Sequence, residues 1–95
     1  MTREAAVREL ARLAVDGGIS DPGRRRLLLF GIAAQTVSRL ALHARPLDQV
    51  FSDLMAIHDD PEAMYHWFEN AELLLAGQSP AAEIAKLRIG WAAAR

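Results

Sequence analysis

Cysteine is absent from the 95-residue chain, which excludes disulfide bonds, thiolate-bound zinc and cysteine nucleophiles. A run of about 18 or more uncharged apolar residues is also absent, so the sequence predicts no membrane span. The first ten residues, MTREAAVREL, are charged where a secretory signal peptide needs an apolar core. We therefore expect a cytoplasmic protein that is stabilised by packing alone.

Motifs of catalysis and cofactor binding are lacking as well. The sequence contains no Gly-rich phosphate loop, Walker motif or serine nucleophile elbow. His43, His58 and His66 are the only imidazoles. Glu62 and His66 are four residues apart on a predicted helix, but Asp60 is better explained as a helix N-cap, and no three or four ligands meet at a recognisable metal-binding spacing. The sequence predicts no metal, no cofactor and no enzymatic activity.

The residues that are present favour a small helical fold. An apolar content of 52% in 95 residues is enough for one modest core. Apolar residues recur at intervals of three and four, and no alternating run of strand length competes. We predict an all-α protein of six short helices in one packed unit, with a helix-turn-helix-like half at residues 1–45 and a second helical half at residues 46–95.

Capping residues and prolines predict where the helices begin. Asp21 and Asp60 each precede a proline, the combination of N-cap and first helical position. Further helix starts are predicted at Thr2, near Ala34, at Pro46 and at Ser79-Pro80. We expect the helix that begins after Asp21 to continue through Phe30, and the helix that begins near Ala34 to continue to His43. The side chains expected in the core are Ala6, Leu10, Leu13, Ala14, Val37, Leu40, Leu47, Val50, Phe51, Leu54, Met64, Trp67, Phe68, Ala71, Leu75, Ile84, Leu87 and Trp91.

Charge is divided unevenly along the chain. Residues 1–45 contain eight arginines and four acids, a net charge of +4, whereas residues 46–95 contain three basic residues and eight acids, a net charge of −5. This asymmetry indicates that the first half could face an anionic partner. The alternative is that solvated helix faces differ in charge by chance.

The stretch from Arg24 to Leu42 has the apolar spacing of a helix-turn-helix. Gly31 stands at the turn, Ile32 follows it, and Val37 and Leu40 lie six and nine positions after the glycine, where apolar residues lock the second helix onto the first. The position four before the glycine is usually small, and Leu27 occupies it instead. An ordinary helical hairpin with a glycine turn is the alternative interpretation.

If this segment binds DNA, its second helix offers polar side chains to the major groove and its first helix offers arginines to the phosphate backbone. The predicted contacts to base edges or phosphates are Gln35, Thr36, Ser38 and Arg39, and the predicted contacts on the backbone side are Arg24, Arg25 and Arg26.

The segment WFENAELLLAGQSP, residues 67–80, resembles the toxin-binding domain of Xre/MbcA/ParS-type antitoxins. That pattern is a Trp, a Leu eight residues later, a Gly two after that and a Pro three further on, and Trp67, Leu75, Gly77 and Pro80 fit every spacing. The resemblance covers about residues 50–95. Glu72 departs from it, because the family commonly has an asparagine there.

The resemblance implies an antitoxin that neutralises a cognate protein toxin. The implied toxin is a RES-domain enzyme that degrades NAD. The last helix and tail of the antitoxin would block the active site of this enzyme. The resemblance also implies that the antitoxin is a homodimer and represses its own promoter. The predicted toxin contacts are Ile89, Trp91 and Arg95. The alternatives are a small helix-turn-helix transcriptional regulator or phage-type DNA-binding protein without a toxin partner, and a helical interaction module with no DNA role.

The corner formed by residues 67–80 also has a physical interpretation that does not depend on the resemblance. Gly77 allows the chain to reverse and Ser79-Pro80 restarts a helix at once, so the last helix should fold back against the fifth. Ile89 and Trp91 cannot both lie on the inward face of that helix. We expect one of them to point outward, unless both pack on the first helix.

Overall fold

Residues 2–93 fold into six α-helices in the computed structural model, and this described range contains no β-strand. The helices are α1 (Arg3–Asp16), α2 (Pro22–Leu28), α3 (Ala34–Ser38), α4 (Pro46–Ile57), α5 (Pro61–Leu74) and α6 (Ser79–Ala93). The predicted all-α fold with six helices is therefore confirmed. None of the described helices has both the length and the apolar content to cross a bilayer.

The helices begin where capping chemistry predicts them. The side chains of Thr2, Asp21 and Asp60 each accept a hydrogen bond from a backbone N–H of the following helix, at 3.1 to 3.2 Å. Prolines occupy the first turn of α2, α4 and α5, where a helix has no use for their missing N–H. Local sequence therefore accounts for these starts without help from tertiary packing.

The core surrounds α1, which packs on both α4 and α6, while α5 covers α6 and reaches α2. The side chains with 0–1% of their surface exposed come from four different helices and from the residue directly after α5. They are Val7, Leu10, Ala11, Ala14, Leu54, Ile57, Trp67, Ala71, Leu75 and Ile84. Of the predicted core residues, all but Leu47 are buried or pack against this cluster.

Leu47 is a wrong prediction, because 48% of its surface is exposed. It lies in the first turn of α4, beside a shallow groove that α1 lines with Ala5 and Arg8. The Arg8 guanidinium lies 4.5 Å from the centroid of the Phe51 ring and covers the apolar stripe of α4 at this end. Leu47 therefore lines this groove with the small Ala5 and the charged Arg8 of α1 and stays half exposed.

The third helix is shorter than predicted, since it spans Ala34–Ser38 instead of reaching His43. The buried side chain of Gln49 on α4 donates to the carbonyl of Ala41 at 2.9 Å and accepts from the backbone N–H of His43 at 2.8 Å. These backbone groups would otherwise bond within a longer helix. A long-range side-chain contact thus replaces the last turn of the predicted helix.

Candidate functional site

The corner between α5 and α6 is built by the four residues that the sequence singles out. Trp67 and Leu75 are 1% and 0% exposed and anchor α5 in the core. Gly77 has φ +83°, in the left-handed region where glycine avoids a steric penalty, and Pro80 occupies the first turn of α6. The chain reverses here, and α6 folds back against α5 as predicted.

Trp91 lies inside this packed pair of helices, so its predicted role as a partner contact is wrong for this fold. Only 8% of its surface is exposed. Its ring meets the Phe68 ring edge-on, with centroids 5.6 Å apart, and the Arg3 guanidinium lies 4.0 Å from its centroid. These contacts tie the last turns of α6 to α5 and to the start of α1.

Ile89 points outward, as expected for one of the two apolar residues near the end of α6. With 62% of its surface exposed, it is available to a partner. The preceding residue, Arg88, forms an ion pair with Glu72 of α5, with 2.7 Å between Nε and Oε2. The third predicted contact, Arg95, lies outside the described residues.

A shallow groove separates α5 from α6, and Ile89 directly follows one of its lining residues, Arg88, along α6. Tyr65, Glu69, Glu72, Leu73 and Arg88 line it. Tyr65 and Leu73 are 63% and 68% exposed. A hydrogen bond to Glu69 and the negative charge of that carboxylate raise the pKa of Tyr65 above its ordinary value. We call this groove together with Ile89 the α5–α6 face.

The helix-turn-helix-like segment places its four spacing residues as the pattern requires. Gly31 has φ +87° at the turn, Ile32 and Leu40 are each 9% exposed, and Val37 packs against the core. The helix after the turn has only five residues, which is short for a recognition helix. Binding of DNA by this segment stays a prediction.

The four polar residues predicted to read DNA lie on or directly after α3. Gln35, Ser38 and Arg39 are exposed and Thr36 is half-buried. The hydroxyl of Ser38 donates to the carbonyl of Gln35 at 2.9 Å. Three of the four side chains therefore face solvent.

The three consecutive arginines of α2 have different surroundings. Arg24 is exposed and pairs with Asp21, the N-cap of its own helix, at 3.2 Å. Arg26 is exposed and forms no ion pair with another described residue. Arg25 instead turns inward and donates to both carboxylate oxygens of Asp53, at 2.7 and 3.0 Å. The prediction that Arg25 lies on the DNA-backbone side is therefore wrong.

Arg25 belongs to a buried polar network that sequence analysis missed. Asp53, 3% exposed, accepts from Arg25 and also from Gln49 at 2.9 Å. The hydrogen bond to Asp53 raises the pKa of Arg25. Since Gln49 also bonds the backbone of Ala41 and His43, the network joins α2, α4 and the loop after α3. One clue was available, since Gln49 and Asp53 stand four residues apart beside the inward-facing Val50 and Leu54.

Asn70 is a second polar residue whose role was missed. Its amide nitrogen donates to the carbonyls of Leu28 and Phe30, both at 2.8 Å. The last carbonyls of a helix lack partners within the helix. Asn70 of α5 satisfies that of Leu28, the last residue of α2, and also that of Phe30 in the turn that follows. This explains why α2 ends at Leu28, before the predicted end at Phe30.

Two glycines in the same left-handed conformation provide a matched test of the turn at Gly31. A Cβ at Gly31 would lie 2.8 Å from Nδ1 of His66, whereas a Cβ at Gly77 would meet nothing within 4 Å. We expect Gly77→Ala to lower the free energy of unfolding by about 1–2 kcal/mol, the cost of a left-handed alanine. Gly31→Ala should cost about 1–3 kcal/mol more, because of overpacking. Urea denaturation measures both.

The control for this prediction is the double variant Gly31→Ala/His66→Ala. Removal of the imidazole should leave only the conformational penalty, so the double variant should approach the stability of Gly77→Ala after correction for His66→Ala alone. Equal losses for Gly31→Ala and Gly77→Ala would show that His66 does not restrict the turn.

Residues 2–93 contain no group of three or more His, Asp and Glu side chains able to hold a metal ion. Comparison with family models, curated proteins and solved structures found no match. The argument for function therefore depends on the exposed surfaces described above and on the sequence pattern of residues 67–80.

Proposed function

We propose that this protein is an antitoxin-like binding protein that neutralises a cognate protein toxin through its α5–α6 face. The observation that supports this proposal is the exposure of Tyr65, Leu73 and Ile89, each more than 60% exposed. Tyr65 and Leu73 line the groove that contains the ion pair of Glu72 and Arg88, and Ile89 directly follows Arg88 on α6. Large apolar and aromatic side chains around a polar pair are typical of protein-binding surfaces.

The pattern of Trp67, Leu75, Gly77 and Pro80 supports the choice of partner. Its resemblance to the toxin-binding domain of Xre/MbcA/ParS-type antitoxins points to a RES-domain enzyme that degrades NAD. In the proposed mechanism α6 and the residues after it cover the active site of that enzyme. Ile89 would be the anchor of the contact, because no other described residue of α6 combines comparable apolar size with exposure.

The test uses the product of the gene next to that of this protein, which the proposal expects to be a RES-domain NAD-degrading enzyme. The wild-type chain should form a complex with that enzyme and inhibit its hydrolysis of NAD. Ile89→Asp should weaken binding by about 30-fold or more, the effect of losing a central apolar contact. Titration calorimetry and the NAD assay measure the two effects.

Leu47→Asp is the matched control, because Leu47 is also an exposed leucine-sized side chain but lies in the groove between α1 and α4. It should bind and inhibit like the wild type. Lack of any complex with the wild-type chain would reject the toxin partner. Equal losses for Ile89→Asp and Leu47→Asp would reject the α5–α6 face as the contact.

A second candidate function is DNA binding through α3. It is favoured by the exposure of Gln35, Ser38 and Arg39 and by the net charge of +4 over residues 1–45. In a mobility-shift assay with the upstream DNA of its own gene, Arg39→Ala should reduce affinity, and affinity should fall steeply as salt increases. A shift that responds to neither change would remove this role.

A further inference from the structure

The α5–α6 face contains one carboxylate without a charged partner in the fold. Glu69 is exposed and lines the groove, and it forms no ion pair with another residue of the described range 2–93. Glu72, the other acid of the groove, is neutralised by Arg88 of α6, with 2.7 Å between Oε2 and Nε. The groove therefore has an excess of one negative charge, and Glu69 carries it.

Two exposed side chains flank this carboxylate on the same ridge of α5. Tyr65 lies four residues before Glu69 and Leu73 four residues after it, so the three side chains follow one another along one face of the helix. The phenol of Tyr65 is also hydrogen-bonded to Glu69. The carboxylate thus lies between an aromatic ring and an aliphatic side chain, in a groove of about 350 Å³.

A partner that covers this groove removes Glu69 from water. This step rests on the proposed function, in which the α5–α6 face is buried against the toxin. Burial of a carboxylate is strongly unfavourable unless an opposite charge or hydrogen-bond donors meet it. Arg88, the cation among the residues that line the groove, is already held by both carboxylate oxygens of Glu72, at 2.7 and 3.4 Å. The counter-charge for Glu69 must therefore come from the partner.

The surroundings of Glu69 favour a guanidinium as that counter-charge. Arginine presents a planar fork of N–H donors that binds both oxygens of a carboxylate, and it lies over aromatic rings more often than lysine does. Its aliphatic stem can pack beside an exposed leucine. A metal ion is not favoured, because the described residues contain no group of three or more acid or histidine side chains able to hold one.

We propose that the groove between α5 and α6 binds an arginine side chain of the toxin. Its guanidinium meets Glu69 and the ring of Tyr65, and its aliphatic stem packs against Leu73. The α5–α6 face then selects its partner by charge as well as by apolar area. A surface without a basic residue at this point would leave Glu69 buried and unpaired, which counts against the wrong partner.

The first test compares two glutamine variants of α5 in binding to the product of the neighbouring gene. Glu69→Gln removes the charge and keeps the shape of the side chain. It should weaken binding by about 30-fold or more, because it leaves the guanidinium of the toxin buried without its partner. Titration calorimetry measures the affinities.

Glu62→Gln is the matched control. Glu62 is also exposed and lies in the first turn of the same helix, but it does not line the groove. The variant should bind like the wild type. Circular dichroism and thermal melts confirm that both variants are folded.

A second test identifies the arginine by double-mutant cycles. Each arginine of the toxin is replaced by glutamine and measured against the wild-type chain and against Glu69→Gln. One replacement should weaken binding to the wild type about 30-fold but change binding to Glu69→Gln by less than about threefold, because the contact is already lost there. Combining Glu69→Arg with a glutamate at that position of the toxin should recover at least about tenfold of the affinity that Glu69→Arg loses alone.

The outcomes separate this inference from the proposed function. Equal affinities of the wild type, Glu62→Gln and Glu69→Gln, with binding still lost in Ile89→Asp, would overturn the inference and leave the proposed function standing. Coupling of Glu69 to a lysine of the toxin, or to none of its arginines, would also overturn it. Lack of any complex with the wild-type chain would reject the proposed function and this inference with it.

Discussion

Replacement of Trp67 by alanine is expected to lower the free energy of unfolding by about 3–5 kcal/mol, the usual cost of removing a buried aromatic side chain. Trp67 is only 1% exposed, and its ring meets the Phe68 ring edge-on with centroids 5.9 Å apart. Alanine at this buried position would leave a cavity in the core. Urea denaturation followed by far-UV circular dichroism measures the loss.

Tyr65→Ala is the matched control, because it removes an aromatic ring from the same helix at a position that is 63% exposed. Exposed substitutions usually change stability by less than about 0.5 kcal/mol. A loss below about 1 kcal/mol in Trp67→Ala, or similar losses in both variants, would mean that Trp67 does not anchor the core as described.

Asp53→Leu is expected to destabilise the protein by about 3 kcal/mol, since it leaves the guanidinium of Arg25 without its partner. The side chain of Arg25 is 19% exposed, so water can relieve part of this cost. Gln49 also loses one of its acceptors. The expected loss therefore lies at the lower end of the range for broken buried ion pairs, and urea denaturation measures it.

The double variant Arg25→Met/Asp53→Leu is the control for this network. It replaces both charges with apolar side chains, and such replacements of buried ion pairs are often neutral or stabilising. It should therefore be more stable than Asp53→Leu alone. Single-variant losses that simply add in the double variant would show that Arg25 and Asp53 do not interact in solution.

The sequence predicted the parts of this fold that depend on interactions between residues close together in the chain. The N-caps Thr2, Asp21 and Asp60 act within one turn, so their neighbours in sequence suffice to place the helix starts. The spacing of Trp67, Leu75 and Gly77 likewise predicted the reversal of the chain, because an apolar helix end followed by glycine leaves few other conformations.

The features that sequence did not predict depend on contacts between residues distant in the chain. Asn70 bonds the carbonyl of Leu28 at the end of α2, 42 residues earlier in the sequence, and Arg25 bonds Asp53, 28 residues later. The spacing of residues along a single helix gives no information about such long-range pairs. The inward position of Leu47 and the toxin-contact role of Trp91 were wrong for a related reason, since the direction of an apolar side chain depends on which neighbour covers it.

The candidate sites were predicted less completely than the fold. The outward position of Ile89 followed from helical geometry. The exposure of Leu73 did not, because this residue belongs to an apolar run that could equally have been buried. Only the packed arrangement of α5 against α6 shows that this run leaves a side chain on the surface.

The hydrogen bonds from Asn70 to α2, with those from Arg25 to Asp53, cross from residues 1–45 to residues 46–95. Each half contains polar groups whose hydrogen-bond partners in the fold lie in the other half, so moving one half onto an unrelated protein would remove these partners. Related chains could diverge by changing surface side chains on α3 or α6. Recombination between residues 1–45 and 46–95 would instead require the hydrogen-bonding residues of both halves to change together.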